Sequence, residues 1–129
     1  MKLEHAAVKT NDLNASVNFW TKILGLSVKE KRYIKAHETT LVFLKDNDTG
    51  FELELIYDER SCKKSQNLDS AFAHFAFLTD DINRDFSRMK KNGVVFKREP
   101  FYSLDKSMKL AFLTDPNGIT IEIIQYLNI

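Results

Sequence analysis

The sequence predicts an α+β fold of two tandem βαβββ modules that form a cupped mixed sheet with helices on its outer face. Three observations lead to this prediction: the second half of the 129-residue chain repeats the first, each half contains an amphipathic helix, and each ends in a hairpin with a glycine turn. The ten residues from His5 match the ten from His74, 69 positions later, without a gap. Gly50 and Gly118 precede matching strands 68 positions apart, so the halves differ by one loop deletion.

The first module begins with a strand and a helix. A strand is predicted at residues 2–8, and Asn11 or Asp12 then offers a side-chain oxygen that caps a helix running to about Leu24. Apolar residues recur along this helix at three- and four-residue steps, which predicts one buried face containing Trp20. Three further strands are predicted at 27–32, 39–44 and 51–57.

The second module repeats this order. The predicted elements are a strand at 74–78, a helix capped by Asp80 or Asp81 and ended by Gly93, and strands at 94–97, 109–113 and 119–125. The turn at 115–118 joins the last two strands. We expect a single domain over residues 1–129, with module 1 at about 1–58, a polar linker at about 59–70 and module 2 at about 71–129.

Composition indicates a cytoplasmic protein that acts on a small molecule. Lysine plus arginine (19) nearly balances aspartate plus glutamate (18), which disfavours nucleic acid and anionic membranes as partners. No apolar run approaches the roughly 18 residues that span a bilayer, and no secretory leader precedes the first strand. The lone Cys62 cannot form an internal disulfide, which suits a reducing compartment.

Each half carries one histidine near its start and one glutamate near its end. Side chains alternate along a strand, so Leu53 and Leu55 are expected to face the helix and Glu54 the opposite side; the same parity places Glu122 opposite its flanking isoleucines. Two such half-sites predict one metal centre with ligands His5, Glu54, His74 and Glu122.

A plainer interpretation of these residues stays open. A glutamate that alternates with aliphatic residues is usually the solvated side of a strand, and a single histidine is often a surface residue. The repetition of both residues in register favours the metal. His37 has no counterpart in the repeat and is expected at the surface, while Glu52, matched only by Thr120, is a weaker candidate for the cavity.

The chain resembles the vicinal oxygen chelate superfamily, which includes glyoxalase I, bleomycin-resistance proteins and extradiol dioxygenases. The resemblance rests on the initial His5, the run Ile23-Leu24-Gly25-Leu26, the strand Leu53-Glu54-Leu55, the restart at His74, and Phe112-Leu113-Thr114-Asp115-Pro116-Asn117-Gly118 leading to Ile121-Glu122-Ile123. It implies paired βαβββ modules around a divalent cation, and related proteins often form homodimers that share ligands between chains.

The ligand set resembles that of the lactoylglutathione lyases, the glyoxalase I branch of the superfamily. That resemblance implies methylglyoxal detoxification: the hemithioacetal of methylglyoxal and a thiol is isomerised to a 2-hydroxyacyl thioester by proton transfer through a metal-bound enediolate. Glu122 is then the principal base and Glu54 the second acid/base. Nickel, cobalt, zinc or manganese suits such ligands.

Residues around the predicted site depart from the family pattern. Family members that bind glutathione have an arginine and an asparagine where this chain has Lys9 and Asp58, and Asp58 is expected to repel a carboxylate. Lys106, in a segment that replaces a glycine-rich stretch, is a further candidate for substrate binding. The alternatives are a fosfomycin-type thiol transferase, an extradiol dioxygenase, or a non-catalytic binding protein whose aromatic trough includes Phe43, Phe101 and Tyr102.

Overall fold

The described part of the chain folds into two compact units of the same design. The computed structural model of the protein describes residues 4–60 and 74–127. The units are Met1–Asn67 and Leu68–Ile129, and each contains a four-stranded mixed sheet. The predicted α+β class and the repeated βαβββ order are therefore confirmed. Cys62 and most of the predicted linker fall outside the described residues.

In the first unit, the first strand pairs with the last. The strands are β1 (His5–Lys9), β2 (Ser27–Ile34), β3 (Thr39–Lys45) and β4 (Glu52–Asp58), in the order β1-β4-β3-β2. Strand β1 runs parallel to β4, whereas the other pairs are antiparallel. Helix α1 (Leu13–Asn18) follows β1 and continues as a π-helical turn at Phe19–Ile23.

The second unit has the same topology. Its elements are β5 (Phe75–Leu78), helix α2 (Ile82–Lys91), β6 (Phe101–Tyr102), β7 (Met108–Thr114) and β8 (Thr120–Tyr126), and the sheet order is β5-β8-β7-β6. Strand β5 is parallel to β8, as β1 is to β4. Among the described residues, neither unit contains a helix of the length and apolarity that would cross a membrane.

Both helices begin at an aspartate, as predicted. The Asp12 carboxylate accepts the N–H of Ala15 at 3.0 Å, and the Asp81 carboxylate accepts the N–H of Arg84 at 3.0 Å. Each bond satisfies an amide that has no partner within the helix. In each module the later of the two proposed cap residues is therefore the one used.

The helix side of each sheet is buried. The predicted parity holds in both units, because the aliphatic neighbours of the two glutamates are at most 4% exposed. Trp20 is 1% exposed, which confirms it as a core residue. The buried strand residues are Val42, Leu44, Leu53 and Leu55 in the first unit and Ala111, Leu113, Ile121 and Ile123 in the second. Burial of this side leaves the opposite side of each sheet for Glu54 and Glu122.

Matching turns set the register of the two final hairpins. In each turn an aspartate, Asp46 or Asp115, accepts the backbone N–H two residues later at 2.9 Å. Gly50 and Gly118 then adopt φ values of 79° and 83°, a left-handed conformation that strongly favours glycine. These turns align an aromatic residue of the preceding strand with each glutamate, as described below.

The predicted strand at 94–97 is wrong. This segment is irregular, and the edge strand β6 lies at Phe101–Tyr102 instead. The ring of Phe96 packs on Phe86 of α2, with centroids 4.7 Å apart, so the segment follows the helix rather than the sheet. Strand β1 ends at Lys9, one residue later than expected, and residues 2 and 3 of its predicted range lie outside the described residues.

Tyr102 does not lie on the predicted aromatic trough. It is aligned with Lys109 of β7, whose ammonium group donates to Asn83 of α2 at 3.0 Å. Because residues aligned across neighbouring strands share a face, Tyr102 belongs to the helix side of the sheet. The other two residues of the predicted trough, Phe43 and Phe101, do lie on the glutamate side of their sheets.

Candidate metal centre

In the first unit, His5 and Glu54 form a close pair on one face of the sheet. Ala7 of β1 is aligned with Glu54 of β4, so His5 lies two residues earlier on the same face. Its Nε2 atom is 3.3 Å from Oε2 of Glu54, and the two side chains are 32% and 14% exposed. Nδ1 of His5 lies 3.1 Å from the Glu4 carboxylate. If Nδ1 carries the proton and donates to Glu4, the Nε2 lone pair is available to a cation bound beside Glu54.

The second unit repeats this pair in the same register. Ala76 of β5 is aligned with Glu122 of β8, and His74 lies two residues before Ala76. Nε2 of His74 is 3.3 Å from Oε2 of Glu122, with side chains 39% and 16% exposed. The repeat in the sequence is therefore also a repeat of geometry, with the same two atoms at the same separation.

The donor atoms of each pair suit a divalent transition-metal ion. A nitrogen and an oxygen bound to one ion at about 2.1 Å, with an angle of about 90–110°, would lie roughly 3.0–3.4 Å apart. The observed 3.3 Å falls within that range in both units. A hydrogen bond from a protonated histidine has a similar length, so the repetition of the pair, rather than either pair alone, points to a metal.

Each described unit contains two of the four predicted ligands. Within residues 4–60 and 74–127, no group of three or more His, Cys, Asp or Glu side chains is arranged to hold a metal ion. The four-ligand site therefore stays a prediction, made of one pair from each unit.

Glu52 lies on the Glu54 face but is bound to a lysine. Its carboxylate accepts two hydrogen bonds from the ammonium group of Lys29, at 2.9 and 3.0 Å. The hydrogen bond to Glu52 raises the pKa of Lys29. Because Glu52 already has a cationic partner, it is a poor candidate for a further metal ligand.

An aromatic ring positions the imidazole of His5. Phe43 of β3 is aligned with Glu54, and its ring meets the His5 ring edge to face, with centroids 5.9 Å apart at 83°. On β2, the guanidinium of Arg32 lies 5.5 Å from the Phe43 centroid and is held by Glu30 at 2.8 Å. The Glu54 face thus combines one aromatic ring with several charges.

The two predicted substrate-binding residues of this unit lie on the same face. Lys9 is aligned with Ile56, and Asp58 follows Glu54 by four positions on β4. The Asp58 carboxylate accepts hydrogen bonds from Nε and Nη2 of Arg60 at 3.1 and 3.2 Å. These bonds, with a smaller effect of Lys9, lower the pKa of Asp58. The carboxylate is therefore ionised and paired with a cation, which the sequence did not suggest.

The Glu122 face of the second unit is apolar. Strand pairing places Leu78, Phe101, Leu110, Phe112, Ile124 and Tyr126 on it. Phe101 and Phe112 are stacked with centroids 6.1 Å apart and planes inclined by 28°. The guanidinium of Arg98 lies 3.7 Å from the centroid of Phe101. Leu78 and Tyr126 are largely exposed, so this unit presents an apolar surface with one cation at its edge.

Lys106 occupies the tight turn between β6 and β7. Its backbone has a φ of 58°, and its N–H donates to the Ser103 carbonyl at 2.9 Å. Asp105 holds this turn by accepting from Ser103 and Ser107, and the bond from Ser107 lowers the pKa of Asp105. The turn leads into β7 at Met108, which is aligned with Tyr126 at the end of β8. The turn at 115–118 lies at the opposite end of the β7–β8 hairpin. Substrate binding by Lys106 stays a prediction.

Several residues of the two faces were not predicted from the sequence. Phe112 stacks on Phe101, and Arg98 makes the cation–π contact with the same ring. Arg60 forms the ion pair with Asp58. Phe112 had a usable signal, because it stands 69 positions after Phe43, the same offset as His5 and His74. No sequence signal identified Arg60, because it follows the strand and lies in the stretch predicted to be a linker.

Comparisons with known proteins agree with this fold. A probable lactoylglutathione lyase of Vibrio cholerae is 30% identical over 126 residues, covering 96% of this chain and 90% of the relative. Glyoxalase I of Zea mays superimposes with a TM-score of 0.86 at 29% identity, covering 98% of this chain but 45% of the maize chain. Glyoxalase I of Leishmania major gives a TM-score of 0.78 at 28% identity, covering 97% and 86%.

The family itself is shown by a match over most of the chain. Residues 2–123 match the sequence profile of the Glyoxalase/Bleomycin resistance protein/Dioxygenase superfamily. Together with the relatives above, this match confirms the prediction of a lactoylglutathione lyase-like enzyme. The chain belongs to the glyoxalase/bleomycin resistance/dioxygenase superfamily.

Proposed function

We propose that the protein is a metal-dependent glyoxalase I-type lyase. It isomerises the hemithioacetal of methylglyoxal and a thiol to a 2-hydroxyacyl thioester. The observation that carries the proposal is the repeated histidine–glutamate pair with its 3.3 Å separation. A divalent cation held by His5, Glu54, His74 and Glu122 would supply a Lewis acid that polarises the two neighbouring oxygens of the substrate.

The two carboxylates have different roles in this proposal. Glu122 takes the proton when the C–H bond of the hemithioacetal carbon breaks, and the electron pair moves toward the adjacent carbonyl. The same carboxyl group returns the proton to the neighbouring carbon, while Glu54 transfers the hydroxyl proton between the two oxygens. Every atom of the substrate is retained, so no oxidant or reductant is consumed. The Glu122 side chain is 16% exposed and has apolar neighbours, which would limit exchange of the carried proton with water.

The identity of the thiol is a separate question. The Leishmania major relative is described as trypanothione-dependent, so relatives of this fold differ in the thiol that they use. In this chain Lys9 and Asp58 lie on the Glu54 face, where they are proposed to contact the thiol part of the substrate. Lys106 is proposed as a further contact from the second unit.

Metal analysis and a thiol panel test the proposal. The purified protein is expected to contain a stoichiometric divalent metal, and chelation should abolish methylglyoxal turnover. Glu122→Gln should remove turnover while leaving metal content close to that of the wild type, because glutamine keeps an oxygen at the same position. Inactivity of the metal-loaded protein with every common thiol would reject the lyase.

A second candidate function is supported by the aromatic surface of the second unit. The stacked Phe101 and Phe112 rings resemble a platform for a flat apolar ligand, as a sequestering protein would need. Such a protein would bind a planar aromatic probe equally well with and without metal. Loss of probe binding in Phe112→Ala, combined with no turnover, would favour this function over the lyase.

A homodimer is also proposed. The maize chain is about twice as long as the part that this chain covers, which leaves room for a second copy of the same fold. Two copies of this chain would supply the same amount of structure. Sedimentation analysis at several concentrations measures the mass directly, and a strict monomer would contradict the proposal.

A further inference from the structure

We propose that Arg60 recognises a carboxylate of the thiol co-substrate, with Lys9 as a second cation and Asp58 as the residue that positions Arg60. The inference rests on the proposed function, because it specifies a chemical feature of the substrate of that same site. It assigns a specificity role to a residue that matches no family motif.

The location of this cluster suits a group remote from the reacting atoms. Asp58 follows Glu54 by four strand residues on the same face, a distance of about 13 Å along β4. Lys9 lies on the neighbouring strand, aligned with Ile56 between them. A peptide-like thiol with its sulfur near the metal ligands would extend its carboxylate toward this end of the sheet.

The geometry holds the guanidinium of Arg60 in place. Its Nε and Nη2 atoms bind the Asp58 carboxylate, and its backbone N–H donates to the same carboxylate at 2.9 Å. The preceding N–H, of Glu59, donates to the Glu38 carbonyl at 3.1 Å and ties the segment to the start of β3. A planar fork fixed in this way loses little conformational entropy when it binds a second carboxylate.

The charges around Arg60 leave room for an anion. Asp58 is neutralised by its bond to Arg60, and Lys9 makes no ion pair with any residue in the described ranges. Glu38 also acts on Arg60 electrostatically, so among the described residues the positive charges of Arg60 and Lys9 are balanced by Asp58 and Glu38. Recognition therefore depends on directed N–H groups rather than on a broad positive field.

The second unit shows that the fold does not require this cluster. Leu78 and Tyr126 occupy the positions that correspond to Lys9 and Asp58, with the same strand alignment. A charged cluster in only one of two equivalent places is expected of a binding element. It is not expected of a structural contact that the fold needs in both units.

Calorimetry with S-methylglutathione, an unreactive thioether that carries carboxylates, tests the proposal without turnover. The metal-loaded wild type should bind it, Arg60→Gln should weaken binding by about tenfold or more, and Arg60→Lys should weaken it less. Asp58→Asn should also weaken binding, though by less than Arg60→Gln, because it releases the guanidinium from the position in which the Asp58 carboxylate holds it. The matched control is Arg84→Gln, which removes a similar exposed ion pair between Arg84 of α2 and Asp80, and should bind as the wild type does.

A thiol comparison separates this inference from the proposed lyase. Arg60→Gln should raise KM for the glutathione adduct with little change in kcat, and should leave turnover of the uncharged 2-mercaptoethanol adduct unaffected. Wild-type binding by Arg60→Gln, or a wild type that binds no carboxylate-bearing thioether, overturns the role of Arg60 even if the lyase is active. Arg60-dependent binding without any turnover overturns the lyase and leaves this role in place.

Discussion

The Glu54 face of the first unit and the Glu122 face of the second share their histidine–glutamate pair and differ beside it. Both also align a phenylalanine with the glutamate. The two faces differ at four other matched positions. Charged residues of the first unit are replaced there by uncharged ones of the second: Lys9 by Leu78, Arg32 by Phe101, Glu52 by Thr120 and Asp58 by Tyr126. One face is therefore charged and the other apolar around the same pair of side chains.

This difference separates what the fold needs from what a ligand needs. The helix sides of both sheets must be apolar to bury the core, and they are alike in this respect. The opposite sides carry no such requirement, so their residues vary with the chemistry that they serve. Under the proposed function, a charged face beside one glutamate would suit the polar thiol part of the substrate, and an apolar face beside the other would suit the methyl group of its methylglyoxal part.

The largest expected effect compares the two glutamates. Glu122→Gln should lower kcat/KM by roughly a thousandfold or more, and Glu54→Gln by roughly a hundredfold, because only Glu122 is assigned the proton of the carbon. Turnover of the glutathione adduct is the measurement, with metal content determined for both variants. Equal losses in the two variants would show that the faces share the chemistry and would contradict the assigned roles.

A comparison of the helix sides should give nearly equal losses of stability. Leu55 and Ile123 occupy matched positions and are 0% and 4% exposed. Each change to alanine is expected to lower the free energy of unfolding by about 2–5 kcal/mol, because each leaves a cavity in a core. Urea unfolding measures both, with Leu104→Ala, at a fully exposed side chain, as the control. A loss below about 1 kcal/mol at either position would contradict the equivalence of the two cores.

The sequence predicted the framework because the framework follows local rules. Strand alternation placed Leu53 and Glu54 on opposite faces, and the aspartate before each helix marked its start. The strand at 94–97 was predicted wrongly because Val94 and Val95 have high strand propensity. In the structure that segment follows α2, and Val95 is exposed. Propensity identified an extended segment without showing whether it had a strand to pair with.

The surroundings of the pairs were harder to predict because they depend on which side chains reach one another. The sequence indicated that Asp58 is an isolated negative charge. In the structure the side chain of Arg60, two residues later, binds its carboxylate. Glu52 read as a possible cavity residue, whereas Lys29 reaches it from 23 positions earlier. Such contacts follow from turn conformation and strand register, and neither can be read from residue type.

The helix caps offer a smaller and more finely matched test. Asp12→Ala and Asp81→Ala should each lower the free energy of unfolding by about 1 kcal/mol, because each removes an acceptor from a helix amide. The neighbouring threonines differ: Thr10 bonds the buried Ser16 at 2.6 Å, whereas Thr79 donates to the carboxylate of Asp85. Thermal unfolding of both variants measures the effect. A cost near zero in one unit alone would show that its threonine network holds the helix end without the cap.

The smallest expected effect is the pH dependence that Asp58 contributes on the charged face. Arg60 holds the pKa of Asp58 below its usual value, so the folded state binds this proton less readily than the unfolded chain does. The resulting stabilisation is present above the unfolded pKa of about 3.9 and is lost as the pH falls through the lower folded value. Tyr126, the counterpart of Asp58, carries a phenol in place of a carboxylate.

Carboxyl NMR titration measures this difference directly. In Arg60→Gln the Asp58 midpoint should rise toward about 3.9. The midpoint of Asp80, which Arg84 lowers in the same way on α2, should not move. An unchanged Asp58 midpoint would show that the pair with Arg60 does not persist in solution, and the charged face would then carry Asp58 as an uncompensated anion. In that case the Glu54 face would repel a carboxylate, and the contrast with the apolar Glu122 face would favour a neutral or cationic thiol.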